Sequence, residues 1–531
     1  MRFMSTRDLP IGIQTFEDII SNKRVYIDKT EYVYKLVRSG KAYFLSRPRR
    51  FGKSLFVSTL TAYFEGKKKL FKNLYLYKLE KSLAKQQKRK EWLKYPIISL
   101  DFNNQNYKTL KDLEDYFDYK LSELEKEYDC NSSISSISLR FENILKSIYA
   151  KEKRPVVILV DEYDKPLLSV LSDTNLLDDY RAVLKAFFSN IMTNDRFIKF
   201  VFITGITRFD KVSIFSDLNN LNDVSSNFEF CNCCGITQEE LEKNFIPEIK
   251  ALCTSENLTQ ENCLKKLKQT YDGYKFNSES DGIYNPFSLM NSFYKKSFDF
   301  FWFESGTPTF LVNLLDKSNY NISKLDSNIT IDEKVLAGYR LNSENPIPML
   351  FQTGYLTIKN YDKISRHYTL GFPNDEVKYG FINFLLPHYT RLKPEDDLLD
   401  IWTFSEKVKN GDIDGFMERI KGIFEASPKP SNQKEYELNC QSFIWLIFKL
   451  MGQFILCEVQ NGNGRSDAVV WTDNYIYLFE FKMDSSAQTA LDQINSKNYS
   501  INYKTDKRQL IKIGVNYSSQ IKNITQWLVE K

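Results

Sequence analysis

A nine-residue loop near the N-terminus constrains the fold more than any other part of the chain. It reads Ser46-Arg47-Pro48-Arg49-Arg50-Phe51-Gly52-Lys53-Ser54. A short apolar run at 42–45 precedes it, and an apolar helical stretch at 55–60 follows it. A strand, a tight loop ending in Gly-Lys-Ser and a helix together form a cradle for phosphate groups. The pattern therefore predicts a nucleotide-binding loop between a buried strand and a helix.

The residues of this loop have distinct expected roles. We expect Gly52 to let the backbone approach the phosphates, because a side chain there would block them. Lys53 supplies a positive charge for the β- and γ-phosphates, and the Ser54 hydroxyl is a natural Mg²⁺ ligand. The usual pattern has a glycine five residues before Gly52, where this chain has Arg47. The residues predicted to bind ATP are Arg49, Arg50, Phe51, Gly52, Lys53 and Ser54.

A second apolar segment strengthens this prediction. Residues 154–160 form a β-branched run, typical of a buried parallel strand, that ends in Asp161 and Glu162. Acidic residues at the carboxyl end of such a strand lie in the crevice where α/β sheets bind ligands. We expect Asp161 to bind the nucleotide's Mg²⁺ together with Ser54, and Glu162 to orient or deprotonate the attacking water. The alternative is a solvated acidic strand end.

A third strand is predicted at 197–203, followed by Thr204-Gly205-Ile206-Thr207-Arg208. Hydroxyls and one arginine at a strand end suit the sensing of a γ-phosphate, where Arg208 would neutralise developing charge. Alternatively, Arg208 pairs with a surface carboxylate. The sequence leaves both interpretations open.

The other chemical centre lies near the C-terminus. Residues 464–470 and 475–482, separated by a turn at 472–474, read as a hairpin with Asp467 on its first strand. The period of two places Glu480 and Lys482 on one face of the second strand, opposite its phenylalanines.

These three polar residues suggest a reaction. Two carboxylates facing one spot form an oxygen-rich site for Mg²⁺, with Mn²⁺ as a substitute. A lysine beside them can lower the pKa of the attacking water or stabilise the pentavalent phosphate. Asp467, Glu480 and Lys482 therefore predict metal-dependent hydrolysis of a phosphodiester. The alternative is a half-exposed strand with alternating charges.

Taken together, these motifs resemble those of predicted AAA-type ATPases fused to a PD-(D/E)xK nuclease-like domain, a large and mostly prokaryotic group. The similarity covers nearly the whole length. Besides the loop and the strand end at 160–164, it includes segments 9–12, 26–30, 204–209, 271–274, 284–289, 306–308, 351–356 and 370–374. The resemblance implies ATP binding and a nuclease-like fold, and Arg47 in place of the first glycine looks typical of the group.

Similarity to the nuclease superfamily implies further site residues on helices. A helix before the hairpin often carries a glutamate in these folds, and Glu435 is the candidate. The helix after it places Gln493 and Lys497 four residues apart on one face. Gln493 would orient water or a phosphate oxygen, although polar residues beside an apolar stripe are usually solvated.

The length of 531 residues exceeds what one hydrophobic core supports. We expect an α/β protein in three regions. Residues 1–230 form a P-loop ATPase domain with a parallel sheet, 231–425 a mostly helical lid or connecting region, and 426–531 an α/β PD-(D/E)xK-like domain. The Pro- and Ser-containing stretch at 426–432 is the expected linker.

The net charge of +5 is nearly balanced for this length, so any groove for DNA or RNA must be local. Phosphate contacts are expected from basic residues near the acid pair, unless these are simply solvated side chains. They are Arg465, Lys504, Lys507, Arg508 and Lys512.

The eight cysteines suggest neither a disulfide scaffold nor a secreted protein. Cys231, Cys233 and Cys234 invite a zinc interpretation, but the chain's two histidines lie far away in sequence. Reduced, partly buried thiols account for them better.

We expect no signal peptide at the N-terminus, and the longest apolar stretch, 443–456, is interrupted and too short for a membrane span. We expect a cytoplasmic protein without a membrane partner, and the sequence leaves homo-oligomerisation open. Two functions remain. Either ATP turnover drives metal-dependent cleavage of nucleic acid, or a regulatory ATPase carries a C-terminal module that only binds nucleic acid or a protein.

Overall fold

The computed structural model describes residues 8–130, 134–171, 173–208, 220–304, 311–312, 314–315, 318, 320–326, 329–336, 345–390, 392, 397–427, 433–453, 456–459, 467–503 and 505–531. The chain forms two compact units. The first comprises Met1–Leu314 and Ile329–Glu376, and the second comprises Leu315–Asn328 and Val377–Lys531. The three-region division drawn from the sequence stays a prediction.

A five-stranded parallel sheet forms the centre of the first unit. Its strands are β1 (Ala42–Ser46), β2 (Ile97–Asp101), β3 (Val156–Asp161), β4 (Ile198–Gly205) and β5 (Asn222–Asp223). Their order is β2-β3-β4-β1-β5. Every residue of β3 is buried, because helices cover both faces of a parallel sheet. The prediction of an α/β fold with an N-terminal parallel sheet is confirmed.

Helices connect these strands and continue into the middle of the chain. Those up to β4 are Phe16–Ser21, Thr30–Ser39, Lys53–Phe64, Tyr75–Gln86, Leu110–Glu127, Ile137–Glu152, Lys165–Ser169 and Thr174–Thr193. After β5 come Gln238–Asn244, Ile246–Ser255, Gln260–Tyr271, Pro286–Lys295, Phe301–Glu304, Glu333–Leu336 and Ile347–Gln352. The predicted helical middle is therefore present, and its helices between 238 and 304 share an apolar core.

A small antiparallel sheet also belongs to the first unit. It consists of β6 (Ile329–Asp332), β7 (Thr357–Asp362) and β8 (His367–Gly371), in the order β6-β8-β7. The sequence predicts a mostly helical region here and does not indicate these three strands.

The second unit contains a mixed five-stranded sheet. Its strands are β9 (Leu456–Val459), β10 (Ala468–Trp471), β11 (Tyr475–Met483), β12 (Gln509–Ser518) and β13 (Asn523–Glu530). The order is β13-β12-β11-β10-β9, with β11 and β12 parallel and the other pairs antiparallel. The helices are Asp375–Thr390, whose first two residues belong to the first unit, Ile401–Lys409, Ile413–Ala426, Gln433–Met451 and Ala487–Ser496.

Aromatic packing holds two of these helices on the sheet. Phe416 is fully buried, and its ring centroid lies 5.7 Å from that of Phe479 in β11 and 5.8 Å from that of Phe448. The ring of Phe448 in turn lies 5.0 Å from Phe479. The face of β11 that carries Phe479 is thus covered. The opposite face is apolar where Ile476 and Leu478 are buried against Leu491 and Ile494, and it becomes polar further along, at Glu480 and Lys482.

We predict that Phe416→Ala loosens the second unit. Loss of a buried aromatic ring typically lowers the free energy of unfolding by about 3–5 kcal/mol, through lost burial and a cavity. Hydrogen exchange of the β11 amides, followed by mass spectrometry, should therefore accelerate by roughly 10²-fold or more. Ile521→Ala, at a side chain that is 61% exposed, is the control and should leave exchange unchanged. Unchanged β11 protection in the Phe416 variant would contradict this packing.

Candidate functional site

A pocket of about 300 Å³ opens at the carboxyl ends of the parallel strands of the first unit. Loop residues and strand-end acids line it together, as expected for the ligand crevice of an α/β sheet. Its lining comprises Pro10, Ile11, Gly12, Ile13, Gln14, Arg49, Arg50, Gly52, Lys53, Ser54, Leu55, Asp101, Asn103, Asp161, Glu162, Lys165, Pro286, Phe287, Met290 and Asn291. The structure thus brings together most of the residues predicted for the nucleotide site.

Arg47, which replaces the usual first glycine, points away from this pocket into the protein. Its guanidinium is buried and donates to the carbonyl oxygens of Ser225 at 2.7 Å and Phe230 at 2.9 Å. The same group lies 4.1 Å from the ring centroid of Phe276. The Arg47 backbone is outside the left-handed region, so no glycine is needed at this position. Arg47 fastens the loop to the segment 225–231.

Gly52 and Lys53 set the shape of the loop's other end. Gly52 has a φ of +91°, a left-handed conformation that favours glycine, and an added Cβ would meet no atom within 4 Å. The structure therefore shows that glycine is favoured at position 52 by its backbone conformation, and not by lack of space for a side chain. The Lys53 ammonium is buried and donates to the carbonyls of Arg47 at 2.9 Å and Pro48 at 3.1 Å. An ammonium has three N–H groups, so one is left for a ligand oxygen.

The acids of the pocket come from two neighbouring strands. Asp161 ends β3, and its carboxylate accepts a hydrogen bond from the Thr204 hydroxyl. Asp101 ends β2 directly beside it in register. Burial raises the pKa of Asp101, and the negative charges of Asp161 and Glu162 raise it further. Ser54 and Asp161 share this pocket, and such a set of oxygen donors fits Mg²⁺.

Sequence reasoning missed Asp101 and Lys165 as pocket residues. Asp101 follows a mostly apolar segment, 96–100, much as Asp161 follows the apolar run 156–160, and this similarity was the available signal. Lys165 comes four residues after Asp161. It was missed because the local sequence does not indicate in which direction a side chain in a turn points.

The turn after β3 is held rigidly against the end of β4. The fully buried Asp164 accepts hydrogen bonds from the backbone N–H groups of Ile206 at 3.0 Å and Thr207 at 2.6 Å. Burial raises the pKa of Asp164, and its bonds to Thr207 oppose that rise. The Tyr163 hydroxyl donates to the Thr207 carbonyl at 3.2 Å. These contacts fix where Glu162, with a φ of +51°, meets the pocket.

Two predicted ATP-site residues lie elsewhere. The Phe51 ring is buried against Tyr274 and Phe276, with centroids 4.8 Å and 5.7 Å apart, and it does not line the pocket. Arg208 pairs through Nε with the Asp223 carboxylate at 2.6 Å and does not line the pocket either. Of the two interpretations of Arg208, the structure shows pairing with a carboxylate, and the γ-phosphate role stays a prediction.

In the second unit, β10 and β11 form the antiparallel hairpin predicted from the sequence. Ala468 pairs with Phe479, so Asp467 lies across from Glu480 one step further along. Cross-strand neighbours of this kind share a face of the sheet. The Asp467 carboxylate also accepts a hydrogen bond from the Phe481 N–H at 2.9 Å. Lys482 lies on the Glu480 face, as the period of two predicts.

Glu480 has one carboxylate oxygen occupied and one open. Its Oε1 accepts hydrogen bonds from Lys482 Nζ at 3.1 Å and from the Gln493 side-chain amide. Its Oε2 is buried and has no hydrogen-bond partner. Burial raises the pKa of Glu480, and the charge of Asp467 raises it further. Burial likewise raises the pKa of Asp467.

This arrangement fits a divalent cation. An orphaned buried oxygen beside a second carboxylate is the kind of donor set that Mg²⁺ or Mn²⁺ completes. No cluster of three or more His, Cys, Asp or Glu that could hold a metal occurs among the residues that the structure describes. Mg²⁺ commonly uses only one or two carboxylates, the remaining ligands being water and phosphate oxygens.

The helical residues implied by the nuclease resemblance have different outcomes. Gln493, on helix Ala487–Ser496, reaches Glu480 and also donates to the Tyr499 hydroxyl at 3.3 Å. Sequence reasoning missed Tyr499. Glu435 lies in helix Gln433–Met451, and its side chain lies outside the described residues.

The predicted phosphate-contacting cations are mostly engaged or not described. Arg508 pairs with Asp506 at 2.7 Å, and Lys512 binds Asn495 at 2.7 Å as well as Glu530. Lys507 is exposed, and Arg465 and Lys504 lie outside the described residues. Their contacts with nucleic acid stay a prediction.

The cysteine cluster lies behind the phosphate loop. Cys231, Cys233 and Cys234 are buried free thiols, and Cys233 Sγ lies 3.9 Å from the Arg47 guanidinium. The cysteine cluster thus packs next to the Arg47 side chain that anchors the phosphate loop.

A parallel sheet with a phosphate loop and strand-end acids defines a P-loop ATPase-like unit, and the acid hairpin with its flanking helix defines a nuclease-like unit. Residues 10–215 match the AAA-ATPase-like family, described as predicted AAA-ATPases, and residues 435–527 match the PD-(D/E)XK nuclease superfamily. The chain is also 31% identical over 537 residues, 99% of each chain, to the "Uncharacterized protein in vnfD 5'region" of Azotobacter chroococcum mcd 1. The chain belongs to this family of AAA-ATPase-like proteins with a PD-(D/E)XK domain. In the part of the chain that the structure describes, every helix is too short or too polar to cross a membrane.

We predict that restoring the usual glycine, Arg47→Gly, weakens the phosphate loop. The change removes a buried guanidinium that donates to the Ser225 carbonyl and leaves the Phe230 carbonyl with only the Cys233 N–H as donor, lowering the free energy of unfolding by about 3 kcal/mol. Thermal unfolding and ADP titration should both show the loss. Arg366→Gly is the matched control, because Arg366 is exposed at a φ of +55° that glycine accepts. Nucleotide affinity equal to wild type would contradict the fastening role.

We also predict that divalent cations stabilise the second unit in a pH-dependent way. Because the folded-state pKa of Glu480 is raised, its contribution is present below the ordinary carboxyl pKa and lost as the pH rises through the raised value. At neutral pH, Mn²⁺ should offset this loss and raise the thermal midpoint. The effect should vanish near pH 4, where carboxylates take up protons.

The Glu480→Gln variant should lose the Mn²⁺ response. Glu425→Gln, at an exposed glutamate of the same unit, should keep the response. Equal stabilisation of wild type and Glu480→Gln would rule out cation binding at this carboxylate.

Proposed function

We propose that the first unit binds and hydrolyses ATP. Lys53 and Ser54 at the loop and Asp161 and Glu162 at the strand end line a single pocket. Lys53 keeps one N–H for a phosphate oxygen, and Glu162 orients the attacking water and takes its proton. Ser54 and Asp161 would hold Mg²⁺, which neutralises phosphate charge when bound.

We propose further that the second unit cleaves phosphodiester bonds of DNA or RNA with the help of a divalent cation. The observation that carries this proposal is the buried, partnerless Oε2 of Glu480 beside Asp467. These two carboxylates would hold the cation, which activates water when bound. Lys482, fixed against Glu480, stabilises the negative charge that develops on the phosphate. Gln493 holds the Glu480 carboxylate in position.

ATP turnover in the first unit is proposed to control cleavage in the second. A plasmid-nicking and single-strand cleavage assay on the full chain tests both halves, with Mg²⁺ or Mn²⁺ and with or without ATP. Asp467→Ala should abolish cleavage and leave ATP binding unchanged, because the two sites lie in different units. Lys53→Ala should remove ATP turnover. Asp473→Ala, at an exposed aspartate in the turn of the same hairpin, is the matched control and should cleave normally.

The outcomes separate this function from the alternative. Wild-type protein that binds nucleic acid but cleaves neither DNA nor RNA would favour a binding module regulated by the ATPase. ATP turnover that persists in Lys53→Ala would refute the loop assignment.

A further inference from the structure

The first unit presents more cations to its pocket than the loop alone supplies. Among the described lining residues, the cations are Arg49, Arg50, Lys53 and Lys165. Lys53 already donates to two loop carbonyls. The Arg50 guanidinium lies 5.1 Å from the ring centroid of Phe287. Lys165 alone among them comes from the acidic side of the pocket, beyond β3.

Lys165 is held next to Glu162 by the rigid turn. Its backbone N–H donates to the Glu162 carbonyl at 3.0 Å, and the turn itself is anchored by the buried Asp164 and Tyr163. Even the glycine opposite is constrained, since a Cβ at Gly205 would come within 2.7 Å of both Asp164 and Tyr163. The ammonium is therefore presented from a fixed backbone position, on the same side as the residue proposed to activate water.

Arg208, the cation expected from the sequence to meet the terminal phosphate, is engaged elsewhere. Its guanidinium pairs with Asp223 at 2.6 Å, and its backbone N–H donates to the Gln352 side chain at 2.7 Å. If Arg208 left this ion pair to contact a phosphate, the largely buried Asp223 carboxylate would lose its cationic partner, which is energetically costly.

We propose that Lys165 is a catalytic residue that contacts the terminal phosphate of ATP. This inference rests on the proposed ATP hydrolysis. Water attacks the γ-phosphorus, its proton passes to Glu162, and the bond to the β-phosphate oxygen breaks with its electron pair leaving on ADP. Lys165 stays protonated throughout and stabilises the negative charge spread over the transferred phosphoryl group. The stabilising cation then comes from the same chain as the phosphate loop.

The test measures steady-state ATP hydrolysis and nucleotide binding by the full-length chain. Lys165→Ala should lower kcat by roughly 10²-fold, the usual cost of losing one preorganised donor to developing charge. Its affinity for ATP should change far less, because the contact strengthens only in the transition state. Binding of ADP with aluminium fluoride, which mimics that state, should fall with kcat. Lys165→Arg should recover part of the rate.

Lys78→Ala is the matched control, since Lys78 is an exposed lysine of the same unit outside the pocket, and it should behave as wild type. A kcat of Lys165→Ala within about twofold of wild type would overturn the inference and leave the proposed ATPase intact. Losses of equal size in kcat and ATP affinity, without a selective loss of aluminium fluoride binding, would overturn it too. A wild-type chain that does not hydrolyse ATP would overturn the ATPase proposal and this inference together.

Discussion

The phosphate loop depends on one buried cation, the guanidinium of Arg47. It donates to carbonyls in the segment 225–231. A little further along the chain, the backbone N–H of Gly235 donates to the Phe51 carbonyl at 3.2 Å. The loop is therefore tied at two points to chain that follows β5. Lys53 closes it from within by binding the carbonyls of Arg47 and Pro48. A buried charge needs hydrogen-bond partners to be stable, and both terminal nitrogens of Arg47 have carbonyl partners, while its Nε has none. We therefore expect the loop and its support to form together.

Both candidate sites are built in the same way: two neighbouring strands place their carboxylates side by side. In the first unit, Asp101 and Asp161 end adjacent parallel strands in register. In the second, the antiparallel register places Asp467 beside Glu480. Burial and like charge raise the pKa of Asp101 and of Glu480, so each pair is electrostatically incomplete without a cation. Because the carboxylates project from strands, little reorganisation would accompany cation binding.

Patterns confined to a few residues were predictable from the sequence. The strand before the loop, the acidic end of β3 and the hairpin at 467–482 each carry their signal within a short window. Gln493, which the nuclease resemblance implied as a site residue, hydrogen-bonds Glu480, and its role toward water or phosphate stays a prediction. The antiparallel sheet of β6 to β8 was missed because helices separate the short strand β6 from β7, so no local pattern links β6 to the hairpin of β7 and β8. Asp101 was missed because a single aspartate at a strand end is a weak signal. It becomes informative only once the structure shows that it lies next to Asp161.

The remaining differences come from partners that are distant along the chain. Arg47 meets carbonyls 178 and 183 residues away, so no local pattern can show what the arginine in place of the usual glycine does. Phe51 belongs to the aromatic core because Tyr274 and Phe276 come back to it. Arg208 finds Asp223 on β5. In each of these three cases, a side chain next to a recognised motif supports the pocket from outside. Lys165, which belongs to no recognised motif, lines the pocket itself. Proximity to a motif in sequence therefore indicates where the pocket forms, and the long-range contacts decide which side chains enter it.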